Sequence, residues 1–144
     1  MIGILIVAHG SLGKSLIQCA THVMGSRPPN LEQFGIEKND DPASVMELLG
    51  KAVKNLDEGD GVLILSDIYG ATPCNIVGKV LKRNYVEGVA GVNLPMLLRA
   101  LTYRNGDLNK LAEKALSGGQ EGVFHFTEEA CNTANKTSAG KDAK

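Results

Sequence analysis

The sequence has no tryptophan, only three phenylalanines and three tyrosines, and no apolar run longer than about six residues. Runs that short exclude a membrane-spanning helix, which needs roughly twenty. An aromatic content of 4% calls for an aliphatic core. Charge of one sign is also missing: the formal net charge is -1, with no basic stripe. That argues against a nucleic-acid partner, because binding to a phosphate backbone rests on a basic excess. Three cysteines form no CxxC pair and leave an odd number, which suits a reducing compartment and ordinary thiols. Met1 leads straight into an apolar run with no basic leader or cleavage site, so the expectation is a cytoplasmic chain.

What is present is ordinary globular composition, 43% hydrophobic and 22% charged. At 144 residues the chain suits one domain, able to bury roughly two thirds of its unfolded surface. Its organising stretch is the beginning. The run Ile2-Gly3-Ile4-Leu5-Ile6-Val7 is rich in β-branched residues, as expected of a strand covered on both faces, and stops at Ala8-His9-Gly10-Ser11. His9 thus falls at the carboxyl end of a buried strand, where open α/β sheets place their ligands and chemistry.

The rest of the chain alternates in the same style. Leu12 to Val23 has helical spacing and stops at Gly25, Leu31 to Ile36 reads as a short strand, and Asp41-Pro42 opens a helix as N-cap and first residue. Gly61 to Leu65 is a second aliphatic strand, followed by Ser66-Asp67-Ile68-Tyr69-Gly70-Ala71-Thr72-Pro73. Thr72-Pro73 reads as a helix start, whose free N–H groups favour an anion. Glu87 to Val92 gives a weaker strand, and Asn93-Leu94-Pro95 leads into a helix. Asp107 caps a last helix expected to stop at Gly118-Gly119, and Val123 to Phe126 reads as a final short strand. From residue 127 to 144 the composition is polar and a flexible tail is expected, so the domain is placed at 1–126. The predicted fold class is α/β, a single open, mostly parallel sheet with helices on both faces.

Three readings fit the two strand-end turns. In the first, Gly13, Lys14 and Ser15 close a relaxed phosphate-binding loop, with Asp67 as a magnesium partner. In the second, His9 is a nucleophile carrying a phosphoryl group. Imidazole offers a free lone pair near neutral pH, provided an acceptor holds its other N–H and donors meet the phosphoryl oxygens. Asp67 is the candidate acceptor. The Thr72 hydroxyl and the N–H groups of Gly70, Ala71 and Thr72 are the candidate donors, while Gly10 and Gly70 allow close backbone approach. In the third, His9 and Asp67 merely cap strand ends in a binding module. Against that stands a coincidence: two buried strands each end in a titratable residue, a glycine-containing turn and a helix.

Three segments also carry a family resemblance: Ile6-Val7-Ala8-His9-Gly10, Ser66 to Asn75, and Val89-Ala90-Gly91-Val92-Asn93-Leu94-Pro95-Met96-Leu97. Together they resemble the mannose-family enzyme IIA domain of the bacterial phosphoenolpyruvate:sugar phosphotransferase system (PTS) over about residues 1 to 126. The resemblance implies a phosphotransferase component that receives a phosphoryl group from HPr on Nε2 of His9 and passes it to a IIB domain or subunit, or else serves as a stand-alone regulator. It implies that Asp67 orients the ring and that Thr72 helps hold the phosphoryl group, with no cofactor and no metal. It further implies a homodimer whose last strand, near residues 122 to 126, runs antiparallel and is exchanged between subunits. The Asn93-Leu94-Pro95-Met96 stretch favours the sugar branch over the similar phosphoryl-donor subunit of dihydroxyacetone kinase.

Overall fold

The computed structural model describes residues 1–67 and 70–133, with the side chains of 71–74 outside that description. Four strands, β1 (Gly3–His9), β2 (Leu31–Ile36), β3 (Val62–Ser66) and β4 (Val86–Ala90), form one sheet in the order β2-β1-β3-β4. All three pairings are parallel. Helices α1 (Leu12–Met24), α2 (Pro42–Leu56), α3 (Ala71–Val80), α4 (Leu94–Thr102) and α5 (Leu108–Glu121) connect or follow them.

Alternation along the buried strands builds a two-sided core. Ile4, Ile6 and Ala8 of β1 join Leu63 and Leu65 of β3 beneath α1, α4 and α5. Leu5 and Val7, with Val62 and Ile64, face the other way beneath α2 and α3. Gly3 is needed on this second side, because a Cβ there would lie 2.8 Å from the Leu56 carbonyl oxygen. The chain leaves β1 for β2 in one direction and returns to place β3 on the other flank of β1. The boundary between β1 and β3 is therefore the point at which strand order reverses.

Several sequence expectations hold closely. Gly25 ends α1 in the left-handed region at φ 89°. Asp41 caps α2 by accepting from the Ser44 N–H, and Asn93 and Asp107 cap α4 and α5 in the same way. Others need correction. Helix α3 starts at Ala71 with Gly70 as N-cap, not with Thr72 as cap and Pro73 first. Proline is tolerated there because first-turn N–H groups lack helical partners anyway. Gly118 and Gly119 do not stop α5; they lie inside it. A Cβ on either would come within 2.7 Å of Arg99 or Met96, so these glycines let α4 and α5 pack closely.

The expected final strand is absent from the single chain. Residues 123–127 lack regular structure, and Val123, Phe124 and Phe126 are 73%, 66% and 75% exposed. An isolated strand leaves its backbone groups unpaired, and among the described residues this segment pairs with no other strand. The tail also begins differently from expectation: residues 128–133 are helical, with the Thr127 hydroxyl accepting from the Ala130 N–H at 3.0 Å. Residues 134–144 lie outside the described residues.

Candidate functional site

His9 is the last residue of β1, and Asp67 directly follows β3. Since β1 and β3 are adjacent and parallel, in register Val7 with Ser66, the two side chains meet across the switch point. One carboxylate oxygen, Oδ2 of Asp67, lies 2.9 Å from Nδ1 of the ring and also accepts the His9 main-chain N–H at 2.9 Å. The other, Oδ1, is buried with no hydrogen-bond partner among the described residues.

The two groups differ in exposure in a useful way. The Asp67 side chain is 14% exposed, and that of His9 is 56% exposed. Burial pushes the Asp67 carboxyl up, but the two hydrogen bonds from His9 and the charge of its ring outweigh this and hold it below the ordinary aspartate value. An ionised carboxylate is acceptor-only, so a neutral ring beside it carries its proton on Nδ1. That tautomer leaves the lone pair on Nε2, which the exposed ring presents to solvent.

The surrounding backbone suits an anion. Gly10 takes φ 56°, a left-handed conformation that lets β1 turn sharply into α1, and its N–H donates to the Ile36 carbonyl at 3.0 Å. Helix α3 starts beside the same crevice, its first turn free of acidic residues and its N-cap, Gly70, without a side-chain cap bond. The N–H groups of Ala71 and Thr72 lack helical acceptors there. Whether the Thr72 hydroxyl joins them concerns a side chain outside the described residues.

The residues of the nucleotide-loop alternative do not assemble. Only Gly10 and Ser11 separate β1 from α1, so Gly13, Lys14 and Ser15 already sit within the helix. Gly13 is packed against β2, where an added Cβ would meet Gln33 at 2.9 Å, and Lys14 and Ser15 are exposed on the surface. A two-residue link cannot wrap a polyphosphate, and Asp67 is engaged with His9 instead of facing a metal position. Among the described residues no group of three His, Cys, Asp or Glu side chains is disposed to hold a metal ion.

Sequence reading missed Arg104, which is 3% exposed and donates to the carbonyls of Ile2, Pro29 and Asn30 at the opposite end of the sheet. No pattern announces it, because a lone arginine after a helix is ordinarily a surface residue.

The fold and site together define an α/β domain that presents a carboxylate-braced imidazole at a sheet switch point. Residues 3–116 match the EIIA-man family, described as the PTS system fructose IIA component. The chain is 30% identical over 125 residues to the PTS system mannose-specific EIIAB component of Escherichia coli (strain K12). That match covers 85% of this chain and 38% of the relative, so the chain spans well under half the length of the mannose-specific proteins it resembles. It is 31% identical over 105 residues to the PTS system fructose-specific EIIA component of Bacillus subtilis (strain 168), covering 72% of this chain and 71% of that one. Among solved structures, EIIA from Streptococcus agalactiae shares the fold at a TM-score of 0.77 and 24% identity, covering 88% of this chain and 98% of that one. The mannose/sorbose-specific IIA subunit from Enterococcus faecalis does so at 0.77 and 20%. The chain belongs to the EIIA-man family. No helix among the described residues is long and apolar enough to cross a membrane.

Proposed function

We propose that the chain is a cytoplasmic phosphocarrier that accepts a phosphoryl group from phosphorylated HPr on Nε2 of His9 and passes it to a IIB domain or subunit in sugar uptake. The observation that carries this reading is the 2.9 Å approach of Asp67 Oδ2 to His9 Nδ1. The Nε2 lone pair attacks phosphorus, the bond from phosphorus to the donor breaks, and its electron pair leaves with the donor. Nδ1 keeps its proton throughout, and Asp67 balances the positive charge that develops on the ring. The Ala71 and Thr72 N–H groups and the Thr72 hydroxyl receive the phosphoryl oxygens. Discharge is the same displacement reversed, with the imidazole of His9 as leaving group.

The direct test is incubation of the chain with phosphoenolpyruvate, enzyme I and HPr. Phosphate that is labile in acid and stable in base is the expected product, and absence of any protein-bound phosphate overturns the reading. Asp67→Asn should slow acceptance by about 10- to 100-fold without abolishing it, the range found when the carboxylate partner of a metal-bound histidine is removed. Its amide oxygen still accepts from Nδ1, but the balancing charge is gone. An unchanged rate in rapid-quench labelling would reduce Asp67 to a structural role.

The same reading makes the protein a homodimer in which residues 122 to 126 of each subunit pair antiparallel with the other. The outer edge of β4 has no strand partner among the described residues, and the exposed Val123, Phe124 and Phe126 supply an apolar strip to cover. Burying a phenylalanine is worth ~1.5–3 kcal/mol. Phe126→Glu is therefore expected to weaken self-association by about 10- to 100-fold in sedimentation equilibrium. A parent chain that stays monomeric at high concentration would contradict the dimer.

A further inference from the structure

We propose that Asn105-Gly106, in the turn between α4 and α5, is a site of spontaneous covalent modification, at which Asn105 is converted to isoaspartate and aspartate with water as the only co-reactant. Both residues are exposed. Four other asparagine side chains are engaged, Asn30 with the Leu56 carbonyl, Asn93 with Gly119 and Met96, and Asn84 with Asn109, while Asn39 and Asn55 are not followed by glycine. The Asn105 side chain has no hydrogen-bond partner among the described residues. Asn105-Gly106 is also the only Asn-Gly pair in the sequence. Glycine leaves its own nitrogen uncrowded and the local backbone mobile, which are the conditions ring closure needs.

The step is an intramolecular displacement. The Gly106 nitrogen loses its proton to base and attacks Cγ of Asn105. The Cγ–Nδ2 bond breaks, and Nδ2 leaves as ammonia, giving a succinimide. Water then opens one of the two ring carbonyls. Opening at the main-chain carbonyl leaves the chain running through Cγ as isoaspartate, and opening at Cγ gives aspartate. Either product adds a negative charge. Isoaspartate also inserts one atom into the main chain between Arg104, whose guanidinium is locked onto three carbonyls, and Asp107, which caps α5.

The test is ageing of the full chain in warm, mildly alkaline buffer, followed by peptide mass mapping and labelling with an isoaspartyl methyltransferase. The expected result is acid at position 105, mostly isoaspartate, while Asn39 and Asn109 remain amides. Gly106→Ala keeps the fold, since its added Cβ meets nothing within 4 Å, and should lose the conversion. Asn105→Gln, whose longer side chain closes a ring far more slowly, should lose it too. The inference is overturned if Asn105 outlasts Asn39 or Asn109, or if Gly106→Ala converts as fast as the parent chain. Phosphoryl acceptance plays no part in these readouts.

Discussion

His9→Ala accepts no phosphate from phosphorylated HPr and still folds as the parent does. Loss of transfer is complete because the variant removes the imidazole whose lone pair takes the group, and the nearby amide donors have no electron pair to offer phosphorus. Stability changes little because the ring is more than half exposed, so truncation leaves no sealed cavity, and surface changes of this kind usually fall within about 0.5 kcal/mol. The main-chain N–H of residue 9 still donates to Asp67. Acid sensitivity supplies a second readout. The Asp67 carboxyl is held below its ordinary value of 3.8, so it stabilises the fold above that pH, and the contribution is lost as pH falls through the lower folded value. Without the ring, burial regains weight, the carboxyl titrates higher, and the acid limb of stability starts at a higher pH. Phosphate labelling of the variant, or identical acid melting profiles for both proteins, would contradict this account.

Why His9 and Asp67 were legible, and other features not, follows from where each signal lies. Buried parallel strands announce themselves as unbroken aliphatic runs, so β1 and β3 and the residues at their carboxyl ends were readable before any coordinates. Local caps were readable too, as Asp41, Asn93 and Asp107 show, because a side chain accepting an N–H three residues on is written within one turn. What failed was local reading of features decided elsewhere. Gly118-Gly119 has the composition of a helix stop, yet the adjacent helix α4 needs their smallness and keeps them inside α5. Val123 to Phe126 has the composition of a strand, yet a strand exists only beside a partner, and among the described residues this segment is paired with none. The Thr127 cap was written in the sequence and masked by the polar composition around it.

Arg104 has the same kind of invisibility and the larger structural consequence. Arg104→Met is expected to destabilise the fold by about 3–5 kcal/mol, because it removes charge-assisted hydrogen bonds to three carbonyls, each worth ~1.5–3 kcal/mol. The guanidinium donates from Nε and Nη2 to the Ile2 carbonyl at 3.1 and 2.9 Å, and from Nη1 and Nη2 to Pro29 and Asn30 at 2.6 Å each. It therefore ties the entry to β1 to the loop that enters β2. Asn30 itself is strained at φ 51° and bonded through its side chain to Leu56 at the end of α2. Burial pushes the guanidinium pKa down and the Glu58 charge partly restores it, but among the described residues no carboxylate pairs with it directly. Methionine fills the space of the stem and leaves the buried Ile2 carbonyl without these donors, at a cost of ~1–3 kcal/mol, while the carbonyl of exposed Pro29 also loses its partner. Against a total stability of about 5–15 kcal/mol this is a large share. At ~2–4 °C per kcal/mol for a chain of this size, the melting midpoint should fall by roughly 10 °C. Arg104→Lys should fall between, since an ammonium donates from a single point and cannot span three carbonyls. The site at the opposite end of the sheet should be untouched, so the folded fraction of Arg104→Met should accept phosphate at the parent rate. A melting midpoint within about 2 °C of the parent would show that water replaces the guanidinium at little cost, and the clamp would then hold nothing.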